Sequence, residues 1–163
     1  MNILDKIIAD KYKEVALRKQ LIPAKQLEQS VLFNRKSPSL AQALSTSASG
    51  IIAEHKRRSP SKATINNNLN VQDVARGYEQ AGVCGMSVLT DGKYFGGSLD
   101  DLLLARAAAQ LPLLRKEFVI DTYQILEAKA YGADVILLIA AVLTREEIKT
   151  LSEFAKSLGL DVL

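Results

Sequence analysis

A regular alternation of short apolar segments with helical segments constrains the fold of this chain more than any other feature. Strand-like segments begin near residues 50, 85, 111, 134 and 160, and a helical pattern occupies most of each interval. Such alternation is typical of βα units, in which parallel strands are joined by helices. The strand-like segments are apolar on both faces, as parallel strands buried under helices should be. Two architectures repeat in this way, the open doubly wound sheet and the closed (β/α)8 barrel.

The individual elements follow from periodicity together with capping residues and glycines. Thr144, with Glu147 three residues later, predicts the start of one helix, and Gly159 predicts its end. The predicted strands cover residues 50–54, 85–89, 111–115, 134–139 and 160–163, and the predicted helices cover residues 71–81, 100–109, 122–131 and 144–158. This pattern amounts to about four and a half βα units, whereas a closed barrel needs eight and about 250 residues.

The first 48 residues lack this alternation and predict a helical extension. Residues 2–19 place apolar side chains near one helical face, with lysines and acids elsewhere: Ile3, Leu4, Ile7, Ile8, Tyr12 and Val15. Pro23 interrupts the pattern, and shorter helices are expected at residues 24–31 and 40–44. A helix docked on the core is favoured over one lying on a membrane surface. We therefore divide the chain into an extension at residues 1–48 and a βα domain at residues 49–163.

Composition argues against several classes of protein. The net charge is +3, from 21 Lys+Arg against 18 Asp+Glu; this scattered excess does not indicate nucleic-acid binding, although it suits an anionic metabolite. The longest apolar run, residues 135–143, is far shorter than the roughly 20 residues that span a bilayer. No signal-peptide pattern begins the chain, and one cysteine permits no internal disulfide, so the cytoplasm is the expected compartment. One histidine and one cysteine offer no convincing metal cluster, and no nucleotide-binding loop or nucleophile elbow is present.

Charged residues stand at the exit of the first predicted strand, where both candidate architectures place their active sites. Because side chains alternate along a strand, Glu54 and Lys56 share one face and His55 lies on the other, packed under helices. A charge near a core costs on the order of several kcal/mol, the penalty for a buried ion, unless it is paired or takes part in function. We interpret Glu54 and Lys56 as functional; the alternative is a structural ion pair at the mouth of the fold.

The third strand repeats this arrangement. Lys116 shares a face with Leu114 and Phe118, whereas Arg115 and Glu117 lie on the opposite face. A lysine among apolar neighbours is a candidate general acid. The alternative is that Lys116 pairs with Glu117 at the surface.

Two loops add weaker signals. Residues 56–62, KRRSPSK, form a short basic loop with hydroxyls that suits a phosphate or carboxylate. In the loop at residues 90–98, glycines permit tight turns and Ser98 can cap the next helix. Phe95 in that loop either lies against an aromatic substrate or folds onto the domain.

Several of these segments, in order, resemble one enzyme family, the indole-3-glycerol-phosphate synthases. The similar segments are IIAEHKRRSPSK at residues 51–62, SVLTD at 87–91, YFGGS at 94–98, LPLLRKEF at 111–118 and GADVILLI at 132–139. The resemblance extends over nearly the whole chain, including the helical extension. It implies an α/β fold that comprises the first four to five units of a (β/α)8 TIM barrel.

The resemblance also implies a cytoplasmic lyase of tryptophan biosynthesis that uses no metal or organic cofactor. This family closes the ring of 1-(2-carboxyphenylamino)-1-deoxyribulose 5-phosphate, with decarboxylation and dehydration, to give indole-3-glycerol phosphate. By position, Lys116 resembles the general acid, Lys56 the lysine that holds the substrate carboxylate and the phosphate side, and Glu54 the carboxylate that aids proton transfer. Ser59 and Pro60 match a substrate-contacting turn, and the apolar lining of the anthranilate ring is matched by Phe95, Phe118 and Leu137.

The chain departs from the family pattern in three places, and two of these departures predict a structural or functional effect. His55 stands where Phe is more usual, and Ala63 stands where Gly is usual, which would strain the loop if that position needs positive φ. The family also continues past the fifth strand, so we expect a truncated barrel with weak or absent turnover that self-associates through open edges or is marginally ordered. The alternatives are a non-catalytic half-barrel module that self-associates or binds a partner, and another phosphate-handling barrel enzyme.

Overall fold

The computed structural model describes residues 2–163, which form helices and parallel strands in near-regular alternation. Three helices come first: α1 (Ile3–Leu21), α2 (Ala24–Glu28) and α3 (Leu40–Thr46). The alternating part comprises β1 (Ile52–His55), α4 (Val71–Gln80), β2 (Gly85–Leu89), α5 (Gly92–Phe95), α6 (Leu99–Ala108), β3 (Leu113–Lys116), α7 (Thr122–Ala130), β4 (Val135–Ile136), α8 (Arg145–Ser157) and β5 (Asp161–Val162).

The five strands form one parallel sheet in the order β1-β2-β3-β4-β5. A doubly wound sheet reverses its strand order at a switch point. No reversal occurs among residues 2–163, so each βα unit adds its strand beside the preceding one. Of the two architectures that the sequence allowed, the open doubly wound sheet is therefore wrong for the described part of the chain. The α/β class and the parallel strands are confirmed.

Every predicted strand and helix is present, with shifts at the ends. The capping box of Thr144 and Glu147 forms as expected, and Ser98 caps α6 by accepting from the Asp101 amide. The structure adds α5, which was not predicted; Asp91 accepts from the Tyr94 amide at its start, and Gly96, with φ 68°, ends it. Four residues are too few for a helical period to register in a sequence. The strand β4 is shorter than predicted because both of its neighbours, β3 and β5, pair with it over only two residues.

The face of α1 that packs on the domain differs from the predicted one. Ile7 and Val15 are buried as expected, but Ile3 and Tyr12 are exposed. Lys11 is buried between Ile7 and Val15. Positions 7, 11 and 15 lie on one stripe because they are four residues apart. The apolar pattern predicts the wrong stripe because it does not include Lys11. The burial of Lys11 depends on carboxylates that are distant in the sequence.

Two groups of apolar side chains fill the two faces of the sheet. The larger packs strands under helices and includes Met86, Val88, Leu113 and Ile136 together with Leu102, Ile125 and Ala128. The smaller lies on the other face, where Leu40 of α3 packs against Leu114 and Val135. Of the three N-terminal helices, α3 thus packs directly on the strands, whereas α1 and α2 pack on α7 through Val15 and Leu27. Among residues 2–163, no helix is both long and apolar enough to cross a membrane.

Gly97, between α5 and α6, lies too close to the end of β2 to accept a side chain. A Cβ atom there would stand 2.0 Å from the Leu89 carbonyl oxygen. Replacing Gly97 with Ala should therefore displace backbone and lower the free energy of unfolding by about 3 kcal/mol or more. Urea denaturation measures this, with Gly77→Ala as the control: Gly77 lies in α4 with no atom within 4 Å of an added Cβ. That control should gain about 1 kcal/mol from helix propensity, and equal effects of the two changes would contradict the prediction.

His55 should make stability sensitive to acid. It is buried, and its Nε2 atom has no hydrogen-bond partner among residues 2–163. Burial and the nearby Arg57 charge lower the pKa of His55 below its ordinary value of 6.5. Below that pH the unfolded chain binds a proton that the folded chain resists, so the free energy of unfolding should fall as the pH decreases from about 6.5.

The variant His55→Phe removes the titrating group and keeps a ring of similar shape. We expect it to flatten the dependence of the denaturation midpoint on pH below 6.5, the ordinary pKa of this side chain, and to leave stability unchanged or higher at neutral pH. Denaturant midpoints across this pH range test it. A slope that persists in His55→Phe would place the titrating group elsewhere.

Candidate active site

A cavity of about 180 Å³ opens at the carboxyl ends of the strands. Of the eight residues proposed from the sequence, six line it: Glu54, Lys56, Phe95, Lys116, Phe118 and Leu137. The parallel register brings them together, because Glu54 of β1 pairs with Ser87 of β2, and Leu89 of β2 pairs with Lys116 of β3. Ser87 in turn pairs with Leu114, so Glu54 and Lys116 lie only two register positions apart, near the carboxyl ends of their strands.

Glu54 holds the two lysines at the rim of the cavity. Its Oε2 atom accepts from Lys116 Nζ at 2.9 Å and from Ser87 Oγ at 2.9 Å, and its Oε1 atom lies 3.3 Å from Lys56 Nζ. Burial by itself would raise the pKa of Glu54, but the hydrogen bonds from Lys116 and Ser87 and the charge of Lys116 outweigh it and lower that pKa. Glu54 is thus a carboxylate at neutral pH, and its two ammonium partners leave the group with one excess positive charge.

A second set of charges, which is buried, lies on the opposite face of β3 and just after it, and reaches the cavity through Glu117. Glu117 lies 3.6 Å from Arg115 Nη2 and accepts from Thr90 Oγ1 at 2.7 Å, while Arg115 also pairs with Glu127 at 3.1 Å. The alternative in which Lys116 pairs with Glu117 is therefore wrong, since Lys116 pairs with Glu54. Glu54 and Lys56 do form an ion pair, as the structural alternative expects. The position of this pair on the cavity wall is what favours a functional role over that alternative.

Aromatic and aliphatic side chains form the other wall. The rings of Phe95 and Phe118 have centroids 6.0 Å apart and planes tilted by 37°, within the usual range for interacting aromatic pairs. Leu89, Leu137 and Ile139 complete this wall. A cavity of about 150 Å³ holds one benzene molecule, so the space here accepts one aromatic ring and leaves the rest of a larger ligand at the charged rim.

The basic loop after β1 is used mainly for structure. Arg57 pairs with Asp101 and donates to the Gly96 carbonyl at 3.2 Å, and Arg58 donates to the Gly92 and Lys93 carbonyls at 2.7 and 3.1 Å. These contacts tie the loop to the segment that carries Phe95.

Ser59 and Pro60, the two remaining sequence-predicted residues, do not line the cavity. They lie in a turn closed by mutual backbone hydrogen bonds between Ser59 and Lys62 at 2.9 and 3.0 Å. Every described residue with positive φ is a glycine, so the expected strain at Ala63 does not arise.

Sequence reasoning missed several residues that shape the cavity. Asp91 and Glu117 line it in addition to the aliphatic residues named above, and Ser87 hydrogen-bonds Glu54. Ser87 carried a usable signal, because it is a polar residue inside an otherwise apolar strand. Asp91 also carried one, as an N-cap residue beside a glycine. Among residues 2–163, no cluster of three or more His, Cys, Asp and Glu side chains is placed to hold a metal ion.

Comparisons with known proteins agree with one another. A family model described as indole-3-glycerol phosphate synthase matches residues 4–163. Relatives named indole-3-glycerol phosphate synthase are 48% identical over 162 residues in Bacteroides thetaiotaomicron, 45% over 165 in Campylobacter curvus and 42% over 166 in Bordetella pertussis. Each alignment covers 99% of this chain but only 62 to 63% of the relative. The chain thus spans somewhat less than two thirds of the length of these relatives.

Proposed function

The chain belongs to the indole-3-glycerol phosphate synthase family, and from this premise we propose that its cavity binds 1-(2-carboxyphenylamino)-1-deoxyribulose 5-phosphate for conversion to indole-3-glycerol phosphate. The observation that carries the proposal is the pairing of Lys116 and Lys56 with one carboxylate, Glu54, beside an apolar space for one aromatic ring. Two cationic groups at the rim suit a substrate that carries a carboxylate and a phosphate.

Lys116 is the proposed general acid. Ring closure joins the ring carbon that bears the carboxylate to the ketone carbon, and the ketone oxygen takes up a proton as that bond forms. Lys116 is positioned to donate it, because its Nζ atom lies on the cavity wall, 2.9 Å from Glu54. Carbon dioxide then leaves with its bonding electrons returned to the ring. The new hydroxyl takes up a second proton from solvent and leaves as water, while the methylene group next to the nitrogen loses a proton, which completes the indole. The Glu54 carboxylate can accept this last proton and pass it to Lys116.

The remaining residues bind the substrate in this proposal. Lys56 attracts the carboxylate and the phosphate side. Ser59 and Pro60, which lie outside the cavity, are proposed to contact the part of the substrate that extends beyond its rim. Phe95, Phe118 and Leu137 enclose the anthranilate ring. Because the ring lies in apolar surroundings and the charges lie at the rim, the cavity orients the ketone toward Lys116.

The architecture proposed with this function is the first four to five units of a (β/α)8 barrel, at residues 49–163, preceded by a helical extension at residues 1–48. The sequential strand order supports it.

The competing proposal is a non-catalytic half-barrel that self-associates. It is favoured by the described sheet, in which β1 and β5 each pair along one edge only. Light scattering that gives the mass of a monomer would argue against self-association.

The test uses the absence of tryptophan from the chain. Substrate is added, and new indole fluorescence is followed in the chain alone and in a fusion to the part of the Bacteroides thetaiotaomicron relative beyond the matched region. Indole formation in either protein, lost on replacing Lys116, supports the proposal. If neither protein forms indole while both are folded, the proposed function is wrong.

A further inference from the structure

Lys11 is a buried lysine that the proposed reaction does not use. It lies on α1 between Ile7 and Val15, and its side chain is only 2% exposed. Its Nζ atom lies 2.7 Å from Glu14, 2.9 Å from Asp91 and 3.0 Å from Glu117. An ammonium group has three donors, and each faces a carboxylate here. Burial by itself would lower the pKa of Lys11, but Glu117, Glu14 and Asp91 outweigh it and raise that pKa.

Asp91 connects Lys11 to one wall of the cavity. One carboxylate oxygen of Asp91 accepts from Lys11 at 2.9 Å, and the other accepts from the Tyr94 amide at 2.7 Å at the start of α5. The neighbouring Asp10 holds the same short helix, since it pairs with Lys93 at 2.6 Å and accepts from the Tyr94 hydroxyl at 2.5 Å. This segment ends in Phe95, so α1 fixes the element that carries one ring of the aromatic wall.

Glu117 connects Lys11 to the other ring. Its Oε1 atom lies 3.0 Å from Lys11 Nζ and accepts from the Phe118 amide at 2.9 Å. Its Oε2 atom accepts from Thr90, at the end of β2, at 2.7 Å. Glu117 lies between Lys116 and Phe118 in the chain, so its anchorage fixes the backbone that presents both.

We propose that Lys11 is a positioning residue that sets the separation of Phe95 and Phe118 by holding Asp91 and Glu117 together. The proposal rests on the proposed function, because the two rings are taken to enclose the aromatic ring of the substrate. Asp91 and Glu117 are both buried, and like charges repel strongly away from water. Without the ammonium between them, the two carboxylates should move apart and widen the space between the rings.

The variant Lys11→Met keeps the length of the side chain and removes its charge. The matched control is Lys19→Met, on the same helix, which removes a pairing of 2.6 Å with Asp121 outside the cavity. The chain has four phenylalanines, so labelling with fluorinated phenylalanine gives a tractable spectrum. We expect Lys11→Met to shift the 19F resonances of Phe95 and Phe118 and to leave those of Phe33 and Phe154 in place, whereas Lys19→Met should shift neither of the first two.

The affinity for a substrate analogue provides the second measurement. A reduced substrate analogue, with an alcohol in place of the ketone, is titrated by the fluorescence of its own anthranilate group. Lys11→Met should weaken its binding by at least about tenfold, as expected when a binding wall is misplaced by around an ångström, and Lys11→Arg should recover part of the loss. If the parent chain fails to bind the analogue, the proposed function fails, but the 19F spectrum still decides the role of Lys11.

The double variant Lys11→Met with Glu117→Gln separates a purely structural role for Lys11 from positioning, because it no longer holds two buried carboxylates, those of Asp91 and Glu117, around the missing ammonium. It should regain stability but keep the shifted Phe95 and Phe118 resonances. Recovery of the parent spectrum and affinity in the double variant would overturn the proposal, as would unchanged resonances in folded Lys11→Met.

Discussion

Replacement of Lys116 by methionine is expected to lower the rate of indole formation by about 10² to 10⁴-fold, the usual contribution of a general acid, while the fold is retained. The Lys116 ammonium is partly exposed and pairs with Glu54 at 2.9 Å. Its removal leaves Glu54 with Ser87 and Lys56 as partners, so no buried charge is left unpaired. Methionine fills similar space without a transferable proton.

Steady-state rates of indole fluorescence, measured in whichever protein is active, test this prediction. The control is Lys149→Met, an exposed lysine of α8, which should leave the rate unchanged. Turnover retained by Lys116→Met would defeat the proposed role. A loss of cooperative unfolding in that variant would instead indicate that Lys116 stabilises the fold.

The largest effect on stability is expected from Asp134→Ala. Asp134 is fully buried, and one of its oxygens accepts from Arg106 Nη1 at 2.7 Å and from the Leu113 amide at 2.9 Å. Its other oxygen pairs with Arg35. Burial lowers the pKa of the Arg106 guanidinium, and the charge of Asp134 opposes that shift. Removing one partner leaves a buried cation uncompensated, which costs about 3 to 5 kcal/mol.

Such a loss should lower the melting temperature by on the order of 10 °C for a chain of this size. Asp73→Ala is the control, because it removes a 3.1 Å pairing with Arg76 at the surface of α4. Exposed pairs contribute about 0 to 1 kcal/mol. Urea denaturation of both variants measures the difference, and similar losses would mean that the Asp134 network adds nothing beyond a surface pair.

The elements of the sheet could be predicted because their causes are local. Buried parallel strands are continuous apolar runs, and Thr144, Ser98 and Gly159 mark helix ends by hydrogen bonding and backbone freedom. The local pattern does not determine the strand order, since the doubly wound sheet and the (β/α)8 barrel share that pattern. The helix α5 escaped prediction because four residues cannot express a period.

The charged part of the site could be predicted for a related reason. Alternation along a strand gives the face of Glu54 and of Lys116, and parallel strands bring their carboxyl ends to one edge. Lys11 could not be predicted, because its burial depends on Asp91, 80 residues away in sequence. The sequence likewise predicts a ligand-binding role for the loop of Arg57, because it cannot show that the partner of Arg57 is Asp101, 44 residues further along.

The central claim, that the cavity binds the anthranilate ring between Phe95 and Phe118 with the ketone beside Lys116, is tested most directly by a crystal structure with the reduced, non-cyclising substrate analogue. The account predicts the aromatic ring against Phe95, Phe118 and Leu137, and the alcohol oxygen within hydrogen-bond distance of Lys116 Nζ. An analogue bound elsewhere on the chain, or bound in the cavity with its phosphate against the aromatic wall, would contradict it.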